Sequence, residues 1–229
     1  MLPLAGRRLL KTVLHTTPLH KLAYYVPRLY ASLYPPRVLS YLCDCLDRTR
    51  ATRGAVVELG CAEGDTTVWL NRHMDSAGIE KPYFAVDTFA GFTDADIAHE
   101  RHERAKHEEP YHVDFRLNDV RWFMATLRVN GITRVTPIEA DVALVDWCRI
   151  GEVSFALVDV DLYMPTRRAL EGVYEQVRPG GMVVVDDCVA DHRYDGSLGA
   201  YLEFTSARGL QPRIALDRLG IIEVGPAGG

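Results

Sequence analysis

The sequence lacks several features that would place it in particular classes of protein. None of its uncharged apolar runs approaches the ~20 residues that a membrane-spanning helix needs, so no transmembrane segment is expected. The N-terminal basic residues are not followed by an apolar core and a small-residue cleavage site, so a secretory signal is not expected either. No internal repeat or low-complexity tract is visible, which argues against collagen-like and disordered chains.

Paired cysteines are also missing. The chain has five cysteines, and no two of them are spaced C-x-x-C. An odd and scattered set is typical of free thiols in a reducing compartment, so we expect a cytoplasmic protein without disulfides. Cys43 and Cys45 lie two residues apart, which on a helix points their side chains to different faces and argues against a zinc pair.

Acidic residues are absent from the first 43 residues, which carry a charge of +6, whereas the rest of the chain carries −11. An acidic body offers no basic face for phosphate contacts, so a nucleic-acid partner is not expected. Only 4 of the 26 basic residues are lysine, which we interpret as a coding bias and not as a device for binding phosphate.

From Gly54 onward, short β-branched runs alternate with amphipathic helical patterns, as in a parallel sheet with crossover helices. The last two strands are joined by only four residues, Asp217–Gly220, so they are expected to form an antiparallel hairpin. The predicted strands are Ala55–Leu59, Tyr83–Val86, Val135–Ile138, Ser154–Val158, Met182–Val185, Pro212–Leu216 and Ile221–Val224. The predicted helices between them are Thr66–Ala77, Leu117–Asn130, Pro165–Val177 and Leu198–Arg208.

Five parallel strands followed by a hairpin predict an α/β, Rossmann-like, seven-stranded class I methyltransferase sheet with helices on both faces. With 229 residues, the chain corresponds to one such domain and an appended arm. We place the N-terminal helical arm at residues 1–50, the main domain at 51–229 and a variable insert at 92–116.

The first strand runs into a glycine turn that is typical of a cofactor site. Residues 56–64 read V-V-E-L-G-C-A-E-G, and glycines at a strand-to-helix turn allow the backbone to approach a ligand closely. The spacing is not G-x-G-x-x-G, so it favours a ligand without phosphates, such as S-adenosylmethionine, over a dinucleotide. Asp87 and Asp141 end the next two strands, where an acid can accept from ribose hydroxyls and read an adenine amine.

Carboxylates follow the next two strands of the predicted sheet. Residues 155–163 read F-A-L-V-D-V-D-L-Y, and 178–187 read R-P-G-G-M-V-V-V-D-D. Because the carboxyl ends of parallel strands meet at one edge, Asp159, Asp186 and Asp187 should converge in a single cleft. Carboxylates raise one another's pKa unless a cation neutralises them, and an all-oxygen ligand set suits Mg²⁺. The alternative interpretation is that strand-end acids cap the helices that follow.

These segments resemble the class I S-adenosylmethionine-dependent methyltransferases that need a divalent metal, and most closely the macrocin O-methyltransferase family of sugar O-methyltransferases. The resemblance spans about residues 54–225. The segments that carry it are E-L-G-C-A-E-G at 58–64, D-T-F-A-G-F at 87–92, L-V-D-V-D-L-Y at 157–163, R-P-G-G-M-V-V-V-D-D at 178–187 and, more weakly, L-D-R-L-G-I-I at 216–222.

The resemblance implies a role for each matching position. The metal ligands would be Asp159, Asp186 and Asp187, whereas Asp161 would support the ligands. The cofactor-binding residues would be Glu58, Gly60, Gly64, Asp87, Thr88 and Asp141. Two adjacent substrate oxygens would chelate the metal, which lowers the pKa of a bound hydroxyl and orients it against the sulfonium methyl group. Asp159 is the preferred general base because it can touch both metal and hydroxyl, and His192 is the second candidate.

The expected acceptor is a saccharide hydroxyl, on a glycosylated natural product or on a polysaccharide precursor such as a mannoside. A catechol-type small-molecule acceptor remains an alternative within the same reaction. A nicotinamide-dependent oxidoreductase and a non-catalytic cofactor-binding protein are alternatives from other classes. Small molecules or oligosaccharides are thus the expected partners, and the apolar N-terminal helices would suit a homodimer contact.

The insert at 92–116 mixes acidic, basic and histidine side chains. A long polar segment beside a cleft can act as a lid, whereas mixed charge favours a solvated helix held by i,i+4 pairs. His99 and His102, one helical turn apart, give a weaker hypothesis of a separate zinc site. Tyr111 and His112, at the exit of the insert, are candidates for substrate contact.

Overall fold

The computed structural model describes residues 13, 34–107, 111 and 115–225. His112 and, apart from Val13, the first 33 residues of the predicted N-terminal arm lie outside the described residues. In the part of the chain described, no helix has the length and apolar character needed to cross a bilayer.

Seven strands form one mixed sheet, in the spatial order β3-β2-β1-β4-β5-β7-β6. The first five strands are parallel, and β7 lies antiparallel between β5 and β6, so the predicted sheet with a C-terminal hairpin is confirmed. The strands are β1 (Ala55–Leu59), β2 (Tyr83–Asp87), β3 (Val135–Glu139), β4 (Val153–Val158), β5 (Val177–Val185), β6 (Ile214–Ala215) and β7 (Leu219–Glu223).

Seven helices are described around this sheet. They are α1 (Pro36–Arg48), α2 (Asp65–Ala77), α3 (Asp94–Glu103), α4 (Val120–Val129), α5 (Trp147–Ile150), α6 (Tyr163–Tyr174) and α7 (Gly196–Ala207), with a 3₁₀ turn at Val142–Leu144. Each face of the sheet carries a buried apolar core. One core includes Leu42 of α1 and Met74 of α2, and the other includes Leu170 of α6 and Tyr201 of α7.

Helix α1 begins at Pro36, where the missing N–H of proline costs nothing because the first helical amides lack intrahelical partners. Its apolar stripe is buried, and Cys43 and Cys45 both lie in it as free thiols. Residues 36–48 of the predicted arm are therefore packed into the same core as β1.

Several predicted boundaries were wrong for local physical reasons. Helix α4 begins at Val120 and not at Leu117, because the Asp119 carboxylate accepts from Arg121 N and caps it. Helix α6 begins at Tyr163, two residues before Pro165, and ends before Val177. Strand β5 begins at Val177 and not at Met182, so the R-P-G-G segment lies inside the strand, with its first three residues exposed and Gly181 buried.

The insert contains a helix that is only partly solvated. The i,i+4 pair of Glu100 and Arg104 is present, with Oε2 3.0 Å from Nε. However, Asp96, Ile97 and Glu100 are buried, because Asp96 pairs with Arg168 of α6 and Glu100 accepts from Tyr163 N. The predicted i,i+4 pair is therefore present, but the helix is solvated only in part.

Candidate active site

The turn after β1 brings the backbone against the end of β4. Gly60 and Gly64 have φ angles of 85° and 88°, and Ala62 between them has a φ of 45°. A Cβ atom built on Gly60 would lie 1.8 Å from the carbonyl oxygen of Asp159, and one on Gly64 would lie 3.0 Å from the Phe123 ring. These two positions thus require glycine, and the turn is fixed beside the first predicted metal ligand.

Asp87, at the end of β2, holds this turn through its carboxylate. Its Oδ2 accepts from Cys61 N at 3.0 Å and from Ala62 N at 2.8 Å, and its Oδ1 accepts from Phe89 N at 2.7 Å. Burial raises the pKa of Asp87, and these backbone donors oppose the rise. Thr88 donates its hydroxyl to Gly91 O, at 2.7 Å, and closes the following turn.

Glu58 lies beneath the glycine turn and is 1% exposed. Its Oε2 accepts from Thr67 and Tyr83, each at 2.6 Å. Among the residues described, no group hydrogen-bonds to its Oε1. Burial raises the pKa of Glu58 to about 7 although both hydroxyls favour the charged form. Glu58 therefore joins the end of β1 to α2 and β2 from within the core.

Asp141, which follows β3, acts as a helix cap in this structure. Its Oδ1 accepts from Ala143 N at 2.8 Å and starts the 3₁₀ turn. This contact is the alternative role that strand-end acids have. Among the residues that the structure describes, the second carboxylate oxygen of Asp141 makes no hydrogen bond that would define a further role.

The carboxyl ends of β4 and β5 bring four aspartates together. Asp159 N donates to Leu59 O and Asp186 N donates to Val158 O, each at 2.8 Å, so both residues extend the parallel ladder. Asp161 and Asp187 follow with φ angles of 64° and 54°, in the left-handed region that Asp tolerates better than most residues. The predicted convergence of the strand-end acids is present.

Burial and mutual repulsion perturb this cluster. Burial is the largest cause of the raised pKa of Asp159, Asp161 and Asp187, and the charges of the neighbouring aspartates raise each one further. Asp161 also hydrogen-bonds to Asp187, a contact that favours the proton on Asp161 and the charge on Asp187.

Two residues that the sequence patterns did not single out contact the aspartates. Arg218, just after the hairpin turn, has its Nε 2.6 Å from Asp186 Oδ1 and its Nη2 2.6 Å from Oδ2 of the same carboxylate. The Nη2 atom is also 2.8 Å from Asp187 Oδ1. The Tyr34 hydroxyl lies 2.7 Å from Asp159 Oδ2 and 2.6 Å from Asp186 Oδ2, and can donate to either.

The donor chemistry of the cluster fits a hard divalent cation. Four carboxylates face one guanidinium, so two positive charges from an ion would offset most of the remaining negative charge. Within the described part of the chain, however, His, Cys, Asp and Glu side chains form no group of three that is already arranged to hold a metal ion. The oxygens of the predicted ligands are instead directed to Arg218 and Tyr34.

His192 lies in the loop that follows Asp187, where its charge acts on that carboxylate. Burial and Asp186 raise the pKa of Asp187, whereas Arg218 and His192 lower it. The insert is fastened to the same loop, because Lys106 Nζ lies 2.8 Å from Asp195 Oδ2 and donates to His192 O at 3.0 Å. His192 thus acts on the cluster through its charge, and its Nδ1 accepts from Tyr194 N at 3.2 Å.

Tyr111 is fully buried and does not line an open cleft. Its hydroxyl donates to Arg193 O at 2.6 Å, and its ring packs on Phe92 and Tyr194. The expectation that Tyr111 contacts substrate is therefore not met in this conformation. His99 stacks on Tyr163.

A family model decides the class of this fold and site. The model described as Macrocin-O-methyltransferase (TylF) matches residues 19–222. The chain belongs to the macrocin O-methyltransferase family. It is accordingly an S-adenosylmethionine-dependent O-methyltransferase, and the oxidoreductase and non-catalytic alternatives do not apply.

Solved structures of methyltransferases share the fold. The O-methyltransferase NovP is 17% identical, with a TM-score of 0.66 over 82% of this chain and 80% of that one. CalS11, a calicheamicin methyltransferase, is also 17% identical, with a TM-score of 0.65 over 95% of this chain and 91% of that one. A structure of CalS11 without ligand gives a TM-score of 0.55 at 17% identity, over 95% and 92%. No curated protein sequence matches this chain.

Proposed function

We propose that this macrocin-family enzyme transfers the methyl group of S-adenosylmethionine to a saccharide hydroxyl and needs Mg²⁺ to do so. The observation that carries the proposal is the position of the buried aspartate cluster. It adjoins the glycine turn so closely that the Asp159 carbonyl would lie 1.8 Å from a Cβ atom at Gly60. A cofactor on the turn and an acceptor on the aspartates would thus be neighbours.

The methyl donor would bind along the carboxyl edge of β1, β2 and β3. The turn from Gly60 to Gly64, held by the Asp87 carboxylate, would form one wall of this site, and Asp87 with Thr88 would form the next. Asp87 and Asp141 are the proposed partners of the ribose and adenine groups. Glu58 would hold this edge from below through Thr67 and Tyr83, and its buried Oε1 has no hydrogen-bond partner among the described residues.

Asp159, Asp186 and Asp187 would hold the metal ion, and Asp161 would keep Asp187 in place through their hydrogen bond. Mg²⁺ supplies a Lewis acid that makes an acceptor hydroxyl more acidic and orients it. The excess of carboxylates over cationic side chains supports this assignment, because the excess charge is otherwise relieved only by proton uptake.

Asp159 is the proposed general base. It would take the hydroxyl proton as the acceptor oxygen forms a bond to the methyl carbon and the carbon–sulfur bond breaks, which leaves a neutral thioether. His192, in the adjacent loop, would receive that proton if Asp159 acts only as a ligand.

We prefer a sugar acceptor over a catechol because one solved structure with this fold is described as a sugar methyltransferase. CalS11 is described as a TDP-rhamnose 3'-O-methyltransferase in calicheamicin biosynthesis. In both acceptor classes, two adjacent oxygens could chelate one ion, so the aspartate cluster alone does not separate them. The two acceptor classes therefore have to be distinguished by testing acceptors of each class.

A transfer assay with methyl-labelled S-adenosylmethionine tests the acceptor class. The panel would contain nucleotide-linked sugars, alkyl glycosides, mannosides and catechols, each with Mg²⁺ present. We expect label on a sugar hydroxyl and little on the catechols. Transfer to catechols alone would contradict the saccharide assignment and leave the catechol alternative in its place.

A further inference from the structure

Arg218 occupies the oxygens that a metal ion would need. Its guanidinium forks onto both oxygens of Asp186, at 2.6 Å each, and reaches Asp187 at 2.8 Å. Such a two-point contact is among the strongest that a carboxylate makes with a side chain. A divalent ion and this guanidinium therefore compete for the same two carboxylates.

Tyr34 completes the contact set from the other side. Its hydroxyl reaches Asp159 as well as Asp186, and the Arg218 guanidinium lies 5.3 Å from the centre of its ring. The third proposed ligand is thereby also engaged by a side chain of this chain.

The backbone of Arg218 is fixed whereas its side chain can move. Leu216 and Asp217 form a tight turn with φ angles of 55° and 56°, and Arg218 N donates to Ala215 O at 3.1 Å. Arg218 O accepts from Cys188 N at 2.8 Å, and Arg37 Nη2 donates to Leu216 O at 2.8 Å. The Arg218 side chain is 33% exposed, so rotation toward solvent would need no unfolding of the hairpin.

We propose that Arg218 is a built-in counter-cation of the aspartate cluster that a divalent metal ion must displace. Without metal, Arg218 and Tyr34 hold the carboxylates in a closed arrangement. Metal binding would release the Arg218 guanidinium from the carboxylates. Tyr34 would then lose the cation that lies over its ring. Only molecules in which Arg218 has left the carboxylates would bind the metal. The apparent affinity for metal would therefore fall as the fraction in the closed arrangement rises. This inference rests on the proposed metal-dependent function.

The test is the affinity for Mg²⁺ alone, measured by titration calorimetry on the full chain. It would be done at about pH 8, where protons compete least with the metal for carboxylates. The variants are Arg218→Gln, which removes the fork, and Arg218→Lys, which keeps the charge but not the two-point contact. Arg213→Gln is the matched control, since Arg213 lies in the same hairpin segment but pairs with Glu223.

We expect Arg218→Gln to bind Mg²⁺ about tenfold more tightly than the unmodified chain, a typical size for coupling between two ligands. Arg218→Lys should lie between them, and it also serves if the Gln variant fails to fold. Equal or weaker binding by the Arg218 variants relative to Arg213→Gln would overturn the inference. If the unmodified chain binds Mg²⁺ in that case, the proposed function stands. Absence of binding by every variant would overturn the inference and the metal assignment together.

Discussion

Asp159→Asn should lower the rate of methyl transfer by about a thousandfold, the range expected when a general base that also holds the metal is removed. An amide cannot take the hydroxyl proton and is a weaker metal ligand than a carboxylate. Affinity for S-adenosylmethionine should stay within about threefold, because the Asp159 carboxylate is bound by Tyr34 and an amide of the same shape can keep that contact. Transfer kinetics and calorimetry with S-adenosylmethionine would measure the two effects separately.

Asp146→Asn is the matched control for this substitution. Asp146 caps α5, which precedes β4 and so lies at the opposite edge of the sheet. It should retain full transfer activity. The thermal midpoint of Asp159→Asn should be no lower than that of the unmodified chain, since the amide oxygen can still accept from Tyr34 and carries no charge that the neighbouring carboxylates would repel. Loss of cofactor binding by Asp159→Asn would instead make Asp159 a cofactor contact, and full activity would exclude it as base and ligand.

For the folded protein without ligands, we expect the free energy of unfolding to fall by about 3 kcal/mol as the pH rises, because of Glu58. This value is the free energy that corresponds to the pKa shift of Glu58. The pKa of Glu58 is about 7 in the folded chain and near 4.5 in an exposed glutamate. The folded state therefore binds the extra proton between these values. Its contribution is complete below the lower value and is lost as the pH rises through the upper one.

Glu58→Gln should remove this part of the pH dependence. An amide oxygen can still accept from Thr67 and Tyr83, and it carries no charge that burial would penalise. Chemical denaturation from about pH 5 to pH 8, with the exposed Glu139→Gln as control, would give the difference. The same slope in the Glu58 variant and in the unmodified chain would show that Glu58 is charged in the core throughout.

The parts of the fold that follow from local pattern could be predicted from the sequence. Alternating strands and helices give the parallel sheet, and the short link before Leu219 forces an antiparallel hairpin. The meeting of Asp159 and Asp186 follows from the parallel pairing of β4 and β5. The ends of the strands and helices were not predicted as accurately. Caps such as Asp119 and the bulge near Val153 depend on contacts that the periodicity of the sequence does not encode.

Residues that reach the site from distant segments could not be predicted in the same way. Tyr34 contacts Asp159 across 125 positions of sequence, and only the packing of α1 against the sheet brings it there. Arg218 lies in the weakly matching segment 216–222, but an arginine after a tight turn has no pattern that distinguishes a site residue from a solvated one. Its only signal was its place after a hairpin turn that returns to β5.

The most direct test of the central claim is turnover of the unmodified enzyme with a chelator and then with added Mg²⁺. A saccharide acceptor and labelled S-adenosylmethionine would report transfer, and calorimetry would follow cofactor binding in the same samples. The proposed mechanism predicts that chelation abolishes transfer, that Mg²⁺ restores it, and that cofactor binding persists throughout. Full transfer in the presence of chelator would contradict a metal-dependent reaction at Asp159, Asp186 and Asp187.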